Sequence, residues 1–103
     1  MTVYKGTDFT FIIEFGTFKF EDFSEITVQI KRNSDGDILA ELTTDTGGGI
    51  TEDTEHNVVC KLSAEQTEGA TNDTYDIVIT AVFDESDETL IEKYQKFIEI
   101  RPC

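Results

Sequence analysis

Apolar and polar positions alternate through most of this chain with a period of two, the spacing that sends successive side chains to opposite faces of a β-strand. In residues 9–15 (FTFIIEF), Phe9, Phe11, Ile13 and Phe15 share one face, which the pattern assigns to the core. Residues 25–32 alternate most cleanly, with Ile26, Val28 and Ile30 inward, and residues 37–43 place Ile38, Ala40 and Leu42 likewise. Between these runs stands Asn33-Ser34-Asp35-Gly36, whose Asp-Gly pair tolerates the positive φ of a tight turn, so the two form a hairpin. The flanking segments carry weaker patterns. Residues 1–5 read as an extended lead, Phe18-Lys19-Phe20 as a short edge piece, and Phe23 as the apolar anchor of a loop. Gly47-Gly48-Gly49 reads as a flexible connection to a strand at Ile50, and residues 53–56 as polar loop.

The stretch from Val58 to Ile79 organises the rest. Val58, Cys60 and Leu62 alternate as a strand, which breaks at Ser63 into SAEQT, where Ser63 and Gln66 have the S-x-x-Q spacing of a helix capping box. Room exists for a single helical turn near residues 63–68, closed by Glu68-Gly69. A polar run then returns the chain into a new strand that begins with Thr74-Tyr75-Asp76-Ile77. A strand, one turn and a second strand with an early tyrosine is the way a chain crosses between the sheets of a sandwich, and Tyr75 stands where Ig-like domains carry a tyrosine corner.

In the strand that follows, Ile77, Ile79, Ala81 and Phe83 continue the Tyr75 face, while Val78 and Val82 make the opposite face partly apolar. Two apolar faces indicate a central strand or one covered by a neighbouring chain. The final strand, from about Thr89 to Ile100, alternates poorly, and a bulge near Glu92 would let Leu90 and Ile98 face the same core. These elements predict one all-β domain over residues 1–103, an antiparallel Ig-like β-sandwich of about seven strands.

Composition narrows the chemistry. Twenty-two Asp and Glu against eight Lys and Arg give a formal net charge of −14. That charge repels phosphate backbones and anionic lipid, so neither nucleic acid nor membrane is an expected partner, whereas a basic protein neighbour is compatible with it. No apolar run approaches the roughly 18 residues needed to span a bilayer, and MTVYKGTDFTF lacks the basic and apolar regions of a signal peptide. The expectation is a protein made in a cytoplasm.

Candidate chemistry is sparse. His56 is the only histidine, in a polar loop, and no nucleophile, base and orienting group can be named together, so no enzyme and no cofactor are expected. The acidic turn with Asp84, Glu85, Asp87 and Glu88 is a weak metal candidate that reads first as solvated. Asn33 to Asp37 resembles the start of a calcium loop, but Leu42 stands where the bidentate Glu belongs, so a plain turn is the better reading. Cys60 reads as a small buried hydrophobe and Cys103 as a free terminal thiol, with an intermolecular bridge through Cys103 as the sharper alternative.

Four segments in order carry a family resemblance: Lys5-Gly6-Thr7-Asp8-Phe9-Thr10-Phe11, the run from Phe23 to Arg32 before its Asp-Gly turn, Leu62-Ser63-Ala64-Glu65-Gln66-Thr67, and Tyr75-Asp76-Ile77. Together they resemble the small Ig-like β-sandwich structural proteins of tailed bacteriophage virions, including the N-terminal domain of siphophage baseplate upper proteins. The resemblance implies a structural protein, synthesised in the bacterial host cytoplasm, that assembles with itself or with other virion proteins at the tail, baseplate, neck or capsid surface. Interface candidates are Val78, Val82, Phe97 and Cys103. The competing reading is an Ig-like adhesion or carbohydrate-binding module, with or without calcium assistance, with Phe18, Phe20 and Phe97 as its aromatic patch.

Overall fold

The alternating runs become eight strands in the computed structural model, which describes residues 1–45, 47–86 and 88–102. They are β1 (Thr2–Tyr4), β2 (Phe9–Glu14), β3 (Phe23–Arg32), β4 (Ile38–Thr43), β5 (Ile50–Thr54), β6 (Asn57–Leu62), β7 (Asp73–Phe83) and β8 (Thr89–Arg101), with one helical turn, α1 (Ala64–Glu68), between β6 and β7. Five strands form one sheet in the order β1-β8-β7-β3-β4, and three form a second in the order β2-β6-β5. The inward residues of the two sheets meet: Phe11, Ile13, Val58, Cys60 and Leu62 from one, and Ile26, Val28, Ile30, Ile77, Ile79 and Ile98 from the other, all buried. Burying each large side chain here contributes about 1.5–3 kcal/mol. This is the Ig-like sandwich that alternation predicts, with β7 central between β8 and β3 as its two apolar faces require.

Local chemistry accounts for the crossing from β6 to β7. Ser63 Oγ accepts from Gln66 N at 3.2 Å and Gln66 Oε1 accepts from Ser63 N at 2.8 Å, so the capping box forms in full. Ala64 N donates to Asp8 Oδ1 at 2.7 Å and the buried Thr67 hydroxyl reaches Thr7 O at 2.8 Å, tying α1 to the loop that feeds β2. At the start of β7, Tyr75 Oη donates to Thr71 O at 2.9 Å, which is the bond of a tyrosine corner. Arg32 Nη1 donates to Thr71 Oγ1 at 2.9 Å while the same guanidinium pairs with Asp35 and Asp37, so the corner and the β3–β4 hairpin form one network. Tyr75→Phe deletes the hydroxyl's bonds to Thr71 O and Thr71 Oγ1 and leaves the exposed Thr71 open to water, so its expected cost is about 1 kcal/mol. A urea midpoint shifted by that amount with an unchanged slope is the expected result, and no shift would mean the corner is ornamental.

Several local expectations are revised. Residues 2–4 form β1, pairing parallel to β8 over Glu99–Arg101, because Val3 has an apolar slot to fill beside Ile100. That pair makes the five-stranded sheet mixed. Phe18-Lys19-Phe20 is no edge piece: residues 20–22 form a 3-10 turn, and Phe23, buried, already belongs to β3. Strand β5 runs on to Thr54. Ile38 is 54% exposed, since the β3–β4 register shifts between Ile30 and Lys31 and the alternation does not carry through to it.

The bulge in β8 exists but not near Glu92. Tyr75 pairs with Ile98 while Ile77 pairs with Tyr94, so Gln95, Lys96 and Phe97 bulge opposite Asp76. Leu90 and Ile98 do turn toward the same core. Lys96 sits at φ 53°, and its backbone N–H donates to Asp76 Oδ1 at 2.9 Å. A carboxylate thus holds the strand in a conformation that an L-residue otherwise avoids.

Candidate functional site

Strand pairing leaves backbone hydrogen-bonding groups free wherever a sheet ends, and the ends of these two sheets are where the chain also shows apolar side chains. Strand β1 covers β8 only at Glu99–Arg101, so residues 89–98 form an open edge of the five-stranded sheet. Its other edge is β4, open along residues 38–42 because Thr43 is already bridged to the Gly48-Gly49 segment, and the smaller sheet ends in β2 and β5. Among the described residues, the exposed large hydrophobics are Met1, Tyr4, Ile12, Phe18, Ile38, Ile91 and Tyr94. Five of these seven belong to β1, β2, β4 and β8, strands with an unpaired side. The core itself is closed: no buried side-chain polar atom among the described residues lacks a partner.

On the β8 flank a groove of about 300 Å³ opens between the sheets, lined by Phe11, Ile12, Ile13, Tyr94 and Phe97 over Ile77 and Ile79. Phe97 stands edge-on to Phe11 with ring centroids 6.0 Å apart, and Tyr94 is 5.9 Å from Phe97. Tyr94 Oη donates to Glu92 Oε2 at 3.0 Å, and that bond, with some burial and the carboxylate charge, raises the phenol above its ordinary pKa. By alternation Glu92 shares the face of Leu90 and Tyr94, so this edge carries a charge on its inward side and a bulge at its end. Both devices discourage indiscriminate edge pairing while leaving room for a partner that satisfies them.

No protein-family model matches this chain and no curated protein matches its sequence.

The candidates read from the sequence fall in different places. Val78 and Val82 lie half-buried on the outer face of the larger sheet, Val78 between Gln29 and Lys93 and Val82 between Glu25 and Thr89. Ile91, 65% exposed, pairs with Thr80 on that same face and extends the patch to the open edge. Phe97 belongs to the groove instead. Phe18 packs on Phe23 and Phe83, with centroids 6.2 and 5.1 Å away, so it and Phe97 join separate clusters, while Phe20 packs partly buried against the core. Asp84, Glu85 and Glu88 are exposed, while Asp87 and Cys103 lie outside the described residues. No group of three or more metal-ligating side chains comes together among the described residues.

The remaining titratable candidates have structural roles. His56 Nδ1 donates to Phe18 O at 2.8 Å, and the neighbouring Glu55 pairs with Lys19 at 2.8 Å, which holds the Glu55 carboxyl below its usual range. Burial pushes the Cys60 thiol up to about 12, leaving it protonated and inert. Asp35 is held down at about 2 by the hydrogen bond from Arg32, so the calcium-like loop is a hairpin whose carboxylates serve an arginine. Sequence reading missed Ile12, Ile38 and Tyr94 as surface residues. For Ile12 the signal was present: it is the apolar residue on the polar face of FTFIIEF.

Proposed function

We propose that the chain is a structural subunit of a tailed-bacteriophage virion, synthesised in the host cytoplasm and acting by protein–protein assembly at the tail, baseplate, neck or capsid surface. The observation that carries the assembly part is the coincidence, among the described residues, of unpaired strand edges with five of the seven exposed large hydrophobics, where no buried side-chain polar atom lacks a partner. A monomer gains nothing from apolar residues beside open edges, and a subunit gains area and main-chain hydrogen bonds from both. The virion part is supported by the four-segment resemblance, in which the residues of the capping box and the tyrosine corner recur in order. The partners are other virion proteins, further copies of the chain, or both.

Tailed particles purified on a density gradient from the strain that carries the sequence test this reading. Peptides of this chain are expected in the particle band at a constant ratio to the major capsid protein through repeated gradients. Their confinement to the soluble lysate would overturn the virion assignment.

A further inference from the structure

We propose that copies of this chain join head to tail, the open β8 edge of one pairing antiparallel with the β4 edge of the next, so that the five-stranded sheet runs on from subunit to subunit. The inference deepens the assembly reading above and rests on it. The geometry of the sheet points there first. From β8 through β7 and β3 to β4 each neighbour is antiparallel to the last, so β8 and β4 themselves run in opposite directions. A second copy set beside the first by simple side-to-side displacement therefore brings its β4 to β8 with the alternation unbroken.

Register and charge agree with this placement. On β8, Ile91 and Lys93 face outward, since they pair with Thr80 and Val78; on β4, Glu41 faces outward, since it pairs with Gln29. Setting Lys93 opposite Glu41 keeps outward residues against outward ones and places Tyr94 opposite Ala40, Gln95 opposite Leu39 and Glu92 opposite Leu42. In a chain with 22 acidic and eight basic residues, two of the eight, Lys93 and Lys96, stand on this one edge. The opposite edge presents Glu41: Asp35 and Asp37 are already matched by Arg32, whereas Glu41 accepts the neutral Gln29 amide at 3.0 Å and joins no ion pair among the described residues. Two-fold pairing of β8 with itself about Lys93 sets Lys93 opposite itself, and pairing about Tyr94, the other central residue, needs regular strand at residues 95–97, where β8 bulges, so both are disfavoured. The net charge of −14 suits a basic partner as well, but the edge that complements β8 in strand direction, face and charge is present on the chain itself. A contact between two different surfaces closes into a ring or continues as a filament.

Light scattering over a range of concentrations decides the matter. The wild-type mass is expected to rise above the 11.6 kDa of one protomer into a ring or a growing series. Glu41→Lys replaces an opposite-charge pair with a like-charge pair and should weaken association about tenfold. Lys93→Glu should do the same, and an equimolar mixture of the two variants should recover wild-type association, because each then meets its opposite. Lys93 also lies 3.7 Å from Asp76, so Glu41→Lys is the diagnostic variant, with circular dichroism confirming that both fold. A wild type that stays monomeric at millimolar concentration, a Glu41→Lys variant that associates normally, or a mixture that fails to recover would each overturn the head-to-tail contact. A monomer that is nevertheless present in purified particles would sink this contact and leave the virion reading intact, and self-association without particle incorporation would do the reverse.

Discussion

Gly48→Ala is expected to destabilise the protein by about 3 kcal/mol or to prevent folding altogether. A Cβ at Gly48 would stand 2.6 Å from Thr43 O and 2.9 Å from Asp45 O, and would collide with the Thr43 side chain. The crossing from β4 to β5 has little room to give: Asp45 O accepts from Gly48 N at 2.8 Å, Thr43 N donates to Gly48 O at 2.8 Å, and Lys61 N donates to Gly49 O at 2.9 Å. These bonds hold the crossing against both sheets. The neighbouring Gly47 is the control. It lies at φ +78° with nothing within 4 Å of its Cβ position, so Gly47→Ala incurs only the left-handed backbone penalty of about 1–2 kcal/mol. Chemical denaturation of the pair checks this. Near-equal small effects would mean that the three glycines act as the flexible connection their composition suggests, and the packed crossing would be wrong.

That glycine run shows how far the sequence is legible. Period-two alternation reports which face of a strand is dry, and it located the core residues of β2, β3, β6 and β7 because each has one clearly apolar face. Capping and corner motifs are equally local: Ser63 and Gln66 satisfy each other within one turn, and Tyr75 reaches back only to Thr71. What lies across space has no such signature. Three glycines look alike whether they wave in solvent or squeeze past a carbonyl. Residues 2–4 are too few to show a period, and their pairing depends on a strand almost a hundred residues away. Ile38 follows the inward pattern of Ala40 and Leu42, yet a register shift beside it and a free edge leave it in solvent. The candidate assembly surface shares this limitation, since an edge is defined by the strand that is not there. Ile91 and Tyr94 become surface residues only once β1 is seen to stop at Glu99.

The bulge in β8 makes the second prediction. Asp76→Ala should destabilise the fold by about 3 kcal/mol at neutral pH. The side chain is 8% exposed, and its carboxylate accepts from Asn33 Nδ2 at 2.8 Å and from Lys96 N at 2.9 Å, with Lys93 Nζ 3.7 Å away. Removing it strands two partly buried donors and frees Lys96 from the contact that holds it at positive φ. Burial alone would push this carboxyl up, but the bonds from Lys96 and Asn33 and the Lys93 charge outweigh it and hold the group below its ordinary range. The sign of the pH dependence follows. A carboxyl with a depressed folded pKa stabilises fully above its unfolded pKa, near 3.8, and loses that contribution as pH falls through the folded value. The gap in unfolding free energy between wild type and Asp76→Ala should therefore be widest above pH 5 and narrow below about 4. Comparing the two proteins at each pH removes the repulsion common to both. A gap that stays constant down to pH 2 would show that the carboxylate acts through its shape alone. Since Asp76 also fixes where β8 turns away from its edge, the variant should lose association along with stability, whereas Tyr75→Phe, which removes a hydroxyl bonded to Thr71 and away from the Lys93–Glu41 register, should lose stability only.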